Sequence, residues 1–146
     1  MTPSQTPLIT ETIQGEPNPQ DKQIMVDGML AHHARKGHPR KTDTFSILLK
    51  DNTGVLKGVV VASVLWNGLH IDTLWIDETV RNQKWGSTLM SLAEKEGCLR
   101  GATIAYTDTF TWQAPDFYEK MGYSLYGKID NFPEGNSLSY YWKKIG

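Results

Sequence analysis

Two turn signals, Asp51-Asn52-Thr53-Gly54 and Asn67-Gly68, divide residues 44–76 into runs dense in β-branched side chains. Asn and Gly accept the backbone angles of tight reversals, so each signal joins antiparallel neighbours. The spacing predicts strands over Thr44–Lys50, Val55–Trp66 and Leu69–Ile76. The period then changes. Trp85, Leu89, Leu92 and Ala93 fall at i, i+4, i+7 and i+8, an amphipathic helix that Gly97 is placed to end.

Other elements follow from the same rules. Leu8–Ile13 reads as a first strand, and Ile24, Met25, Met29 and Leu30 mark a helix over Gln20–Ala34 that packs one face on the core. Ala102–Thr109 is a strand. Pro115 suits a first helical position, Asp116 complements the positive helix end, and Gly122 closes the helix after Lys120. Ser124–Lys128 and Leu138–Lys143 pair around the turn-rich Asn131–Gly135. The order β, helix, three strands, helix, strand, helix, two strands describes a mixed sheet with helices on its faces. A chain of 146 residues, 39% hydrophobic, has material for one sizeable core, so residues 1–146 are read as one domain.

A net charge of −1 gives no pull toward nucleic acid or an anionic membrane, and favours a small or neutral partner. The single Cys98 cannot form an internal disulfide and suits a reducing compartment. The polar stretch 1–23 lacks the layout of a signal peptide, and no apolar run approaches the ~20 residues of a spanning helix. The expectation is a cytoplasmic protein without membrane contact.

The segment from Leu74 to Met90 is the most informative: a strand ends, a short loop turns, and a helix begins near Gly86. Backbone N–H groups at such a start are unpaired and aligned, which favours phosphate. Arg81-Asn82-Gln83-Lys84-Trp85-Gly86 resembles the acetyl-CoA loop of the GNAT N-acetyltransferases, (Arg/Gln)-x-x-Gly-x-(Gly/Ala), with Lys84 in place of the first Gly. Thr111-Trp112-Gln113-Ala114-Pro115-Asp116-Phe117-Tyr118-Glu119-Lys120-Met121-Gly122-Tyr123 is similar to a second family segment, Asn-x-x-Ala-x-x-Phe-Tyr-x-Lys-x-Gly-Phe. There Ala114, Phe117, Tyr118, Lys120 and Gly122 match, and Thr111 replaces Asn.

The resemblance implies an α/β GNAT fold: a mixed, mostly antiparallel twisted sheet of about six or seven strands with helices on both faces. It implies an enzyme that moves an acetyl group from acetyl-CoA to an amine by direct transfer in a ternary complex, without a metal. Acetyl-CoA would lie against Leu74, Trp75 and Ile76, the loop and helix start Arg81, Asn82, Gln83, Lys84, Trp85, Gly86, Ser87 and Thr88, and Ala114, Phe117 and Tyr118. Tyr118 corresponds to the family tyrosine that protonates the CoA thiolate, and the Ile76 N–H to the oxyanion donor.

An alkylamine with pKa near 10.4 is neutral in only about one molecule in a thousand at neutral pH, a handicap of roughly 4 kcal/mol, so a base is useful. Strand alternation groups His70, Asp72, Leu74 and Ile76 on one face. The resemblance puts a base on this strand, where a histidine, His70, is a better proton acceptor near neutral pH than a carboxylate, and Asp72 can orient it or attract a cationic amine. Glu78 and Asp77 at the strand end are competing bases, and Asp108 can line the acceptor pocket. His32, His33 and His38 have no accompanying carboxylate or cysteine and read as a solvated basic segment rather than a metal site. The acceptor, a small molecule or a peptide amine, stays open, as does a homodimer. The competing reading is a GNAT-fold acyl-CoA sensor or interaction module without catalysis.

Overall fold

The computed structural model describes residues 6–146, and the chain divides into two compact units, residues up to 40 and residues 41–146. The first unit holds α1 (Pro19–Arg35), which begins where Asn18 accepts from the Asp21 N–H at 2.8 Å and Pro19 opens the first turn. His32 and His33 lie in its last turn. None of its residues is buried, so the apolar stripe expected to pack on a core remains exposed at Ile24, Met25, Met29 and Leu30. The strand expected over Leu8–Ile13 does not form. Leu8 and Ile9 are exposed, and a strand without a hydrogen-bonding neighbour has nothing to offset the cost of ordering it.

In the second unit the expected meander is present as β1 (Thr42–Lys50), β2 (Leu56–Leu65) and β3 (Gly68–Ile76), paired antiparallel in that order. A one-turn 3-10 helix (Glu78–Val80) leads into α2 (Trp85–Leu99), followed by β4 (Ile104–Phe110), α3 (Pro115–Lys120), β5 (Ser124–Asp130) and β6 (Ser137–Lys144). The six strands form one open sheet in the order β1-β2-β3-β4-β6-β5. Only β3 and β4 are parallel, because α2 supplies the crossover that such a pair needs. No helix among the described residues is long and apolar enough to cross a membrane.

The core lies on the sheet face covered by α2. Phe45 from β1, Val60, Ala62 and Val64 from β2, and Leu69 and Ile71 from β3 meet Leu89, Met90 and Ala93 of α2. Leu74 and Ile76 pack on the same core, although strict alternation from Ile71 would turn them away. A β-bulge explains this. Val61 pairs with Thr73 and Ala62 with Ile71, so Asp72 is the extra residue and the alternation slips by one. The expected grouping of His70 and Asp72 with Leu74 and Ile76 is therefore wrong. His70 shares the opposite face with Ser63, Thr73 and Trp75, and Leu74 and Ile76 belong to the core.

Gly97 does not end α2, which continues to Leu99 before Gly101 takes a positive φ of 96°. Its role is close approach. A Cβ at Gly97 would stand 2.8 Å from Cδ2 of Leu69, which is wholly buried. Further along, Lys143 of β6 donates to Glu94 of α2 at 2.7 Å and to the Met121 carbonyl after α3 at 2.9 Å. One ammonium thus ties α2, the end of α3 and the sheet together.

Candidate active site

Parallel pairing between β3 and β4 stops early. It runs only through Gly68↔Ile104, Leu69↔Ala105 and His70↔Tyr106, although β3 continues to Ile76 and β4 to Phe110. Beyond His70 the two strands part. At the apex Thr107 Oγ1 donates to the Ile71 carbonyl at 3.0 Å, a buried bond that occupies the point where the ladder opens.

The direction of the freed amides follows from register. The Asp77 N–H donates to the Lys57 carbonyl of β2 at 2.8 Å, so Trp75 and Thr73, two and four residues earlier, also turn their backbone toward β2. Leu74 and Ile76 turn theirs the other way, into the gap, where no strand pairs with β3 among the described residues. Arg81 closes the end of this edge by donating from Nε to the Ile76 carbonyl at 3.1 Å. What remains facing the gap is the Leu74 N–H and carbonyl and the Ile76 N–H. An extended amide-bearing chain can pair with that edge as a strand would.

At the mouth of the gap the loop builds a second array of donors. Asn82 and Lys84 both adopt φ 64°, and α2 begins without a side-chain cap. The first satisfied N–H is that of Thr88, bonded at 3.1 Å to the Lys84 carbonyl, which also receives the Thr88 hydroxyl at 3.1 Å. From Asn82 to Ser87 no backbone N–H has an acceptor among the described residues. The first turn of α2 holds no acidic residue, while Arg81 and Lys84 add positive charge. Such a concave row of N–H groups at a positive helix end suits a phosphate or pyrophosphate. Gly86 faces the Phe117 ring, 3.5 Å from where its Cβ would be, so the start of α2 and α3 form adjoining walls. Ala114 is the residue on which α3 begins.

Tyr118 of α3 is 8% exposed, between Tyr123 at 5.8 Å and Tyr141 at 6.0 Å between ring centroids. Burial raises its pKa, the Thr107 hydroxyl acts in the opposite direction, and the Asp108 charge raises it further. The phenol therefore stays a proton donor throughout the neutral range. Thr107 was not singled out from the sequence. Its signal is visible only in three dimensions, since one hydroxyl touches both the strand that opens and the phenol.

His70 and Asp72 are brought together, Nδ1 against Oδ1, on the sheet face away from α2. Asp72 also accepts from Ser63 at 2.9 Å, and Ser63 meets Thr44 at 3.0 Å, a chain of contacts across three strands. The bulge brings Asp72 within reach of both partners, and the His70 ring lies 4.9 Å from that of Tyr106. Asp77 is otherwise engaged. It accepts from the Thr79 hydroxyl and N–H, which lower its pKa and make it a poor base. Glu78 opens the 3-10 helix and is exposed.

The family model for the acetyltransferase (GNAT) domain matches residues 41–125. This chain belongs to the GNAT acetyltransferase family. Blasticidin-S acetyltransferase of Streptomyces morookaense is 34% identical over 101 residues, covering 66% of this chain and 71% of that one. A solved acetyltransferase from Bacillus cereus superposes with a TM-score of 0.80 at 28% identity, over 92% of this chain and 98% of its own. An aminoglycoside 6'-N-acetyltransferase complexed with coenzyme A shares the fold, with a TM-score of 0.65 at 18% identity over 88% of this chain and 93% of that one.

The two departures from the GNAT pattern now have a physical account. Lys84 stands in the left-handed region that Gly enters freely, so the backbone here takes a glycine-like conformation at the cost of strain in a non-glycine residue. Thr111 extends the ladder past β4: its N–H and hydroxyl donate to the Ser137 carbonyl at 3.0 and 3.1 Å, and Ser137 N–H returns a bond to its hydroxyl at 2.8 Å.

Proposed function

We propose that this GNAT protein is an acetyl-CoA-dependent N-acetyltransferase working by direct transfer in a ternary complex. The observation that carries the reading is the parted edge of β3, whose Leu74 and Ile76 amides look into the gap while the N–H row of Asn82–Ser87 stands at its mouth. Acetyl-CoA supplies an acetyl thioester, whose C–S bond breaks as the amine forms its N–C bond. In this reading the N–H row and the cations of Arg81 and Lys84 hold the pyrophosphate. Leu74, Trp75 and Ile76 align the amide-bearing arm, beside the wall of Ala114 and Phe117. The Ile76 N–H stabilises the oxygen that gains charge, worth about 3 kcal/mol for a donor of this kind.

The Tyr118 hydroxyl gives its proton to the departing sulfur. His70, oriented by Asp72, takes the proton of the incoming ammonium directly or through water. Glu78, exposed at the end of β3, is the competing acceptor. Thr88 is spent on the first turn of α2, so from that turn Ser87 is the hydroxyl left for a phosphate oxygen. The acceptor is a small-molecule amine, in keeping with relatives that bear the names of antibiotic acetyltransferases. The reading takes the whole chain as one domain, active in the cytoplasm.

Release of free thiol from acetyl-CoA across a panel of amines tests this directly. Amine-dependent release is expected. Binding of acetyl-CoA without release for any amine would favour a sensor instead.

A further inference from the structure

On the sheet face away from α2, β4 presents Tyr106, Asp108 and Phe110, because its partners Ala105, Thr107 and Thr109 turn into the core. Phe110 continues outward as a stack. Its ring lies 4.9 Å from that of Trp112 with 2° between their planes, and 5.7 Å from Phe132 in the β5–β6 turn. Trp112 is 61% exposed and Phe132 49%, so this aromatic surface is built and yet left open.

The stack is also held rigid on both sides of Trp112. Thr111 is bound to Ser137 by three hydrogen bonds, and Gln113 accepts from the Phe110 N–H at 2.8 Å. A large aromatic face fixed in advance loses little freedom when a planar partner stacks on it. Asp108 lies two positions before Phe110 on the same face, about 7 Å along the strand. Its carboxylate makes no hydrogen bond or ion pair among the described residues. Its charge also raises the pKa of the Tyr118 phenol, after burial, so it lies within electrostatic reach of the proposed acid.

We propose that this surface selects the acceptor: a small amine carrying a flat aromatic or heteroaromatic ring, which stacks on Phe110, Trp112 and Phe132 while Asp108 draws the ammonium toward the gap between β3 and β4. The proposal rests on the acetyl-transfer reading of the same site and adds the class of acceptor to it. A purely aliphatic amine of equal size fills the same volume but gains no stacking, and stacking on an open aromatic face is worth about tenfold or more in binding.

The test compares tryptamine with a saturated bicyclic amine of the same size, 2-(octahydro-1H-inden-1-yl)ethylamine, at saturating acetyl-CoA, by thiol release, for the full-length protein and its Trp112→Ala and Trp112→Phe variants. The expected result is a kcat/KM for tryptamine about tenfold above that for the aliphatic amine. That preference should vanish in Trp112→Ala and survive in Trp112→Phe, with the KM for acetyl-CoA unchanged throughout. Calorimetric titration of tryptamine into the CoA-loaded protein separates the two readings. Trp112-dependent binding without turnover removes acetyl transfer and leaves the recognition of a flat aromatic amine by this surface standing. Equal use of the two amines, an equal loss for both in Trp112→Ala, or binding of neither, overturns it.

Discussion

Replacing Gly97 by alanine probes the contact that presses α2 onto β3. The new Cβ would meet Leu69 at 2.8 Å (Cδ2), 3.2 Å (Cδ1) and 3.3 Å (Cγ), and Leu69 has no exposed surface into which to retreat. Overpacking of this kind costs about 1–3 kcal/mol, while alanine in a helix interior returns about 0.5–1 kcal/mol over glycine. The net expectation is a loss of about 1–2 kcal/mol, or about 3–6 °C in Tm for a chain of this size. Urea unfolding should show a lower midpoint with an unchanged m-value. Leu69→Val, which removes a methylene from the point of conflict, should cost about 1 kcal/mol less in the Gly97→Ala background than in the parent. If Gly97→Ala is as stable as the parent or more so, helix propensity has won, and the close-approach account of this glycine is refuted.

Three further outcomes are expected. Tyr118→Phe should lower kcat about a hundredfold and leave acetyl-CoA affinity nearly intact, as read by steady-state kinetics and calorimetry; unchanged turnover removes the phenol from the mechanism. Gly86→Ala should fold normally, since its Cβ makes only ordinary contact with Phe117 at 3.5 Å, whereas Gly86→Glu should weaken CoA binding at least about tenfold, about 1.4 kcal/mol, and undiminished binding would count against the loop assignment. Tyr118, Tyr123 and Tyr141 all have pKa values raised above 10.0, chiefly by burial. Their neutral forms therefore favour the folded state fully below pH 10, and that contribution is lost as pH rises from there through the folded values. Urea midpoints should fall steeply above pH 10, and a flat profile to pH 11.5 would contradict the burial of these phenols.

Much of the fold was legible because turn chemistry and period are local. Asn67-Gly68 sits at the β2–β3 reversal, Pro115 opens α3, and Gly122 follows that helix with φ 91°. Non-local facts were not legible. Leu8–Ile13 had the proline-bearing flanks of a strand, but flanks cannot supply a partner. Gly97 had the position of a helix terminator, and only its distance to Leu69 reveals a packing glycine. At the site, the loop and its donors were readable from Arg81 to Gly86, since a helix start exposes N–H groups whatever its tertiary surroundings. Thr107 and the side of β3 that carries His70 were not, because both depend on where two strands separate and where one of them bulges.

Side-chain direction and amide direction are locked together along any strand, so the unpaired Asp72 resets both at once. Pairing it with Val61 in an unbulged ladder would rotate everything downstream by half a turn: Thr73 and Trp75 would enter the core, Leu74 and Ile76 would leave it, and the amides now open to the gap would pair with β2. A single additional residue thus decides whether the hydrophobic interior and the reactive edge can be built from the same stretch of chain. Any graft of this site onto another sheet would have to carry that offset with it.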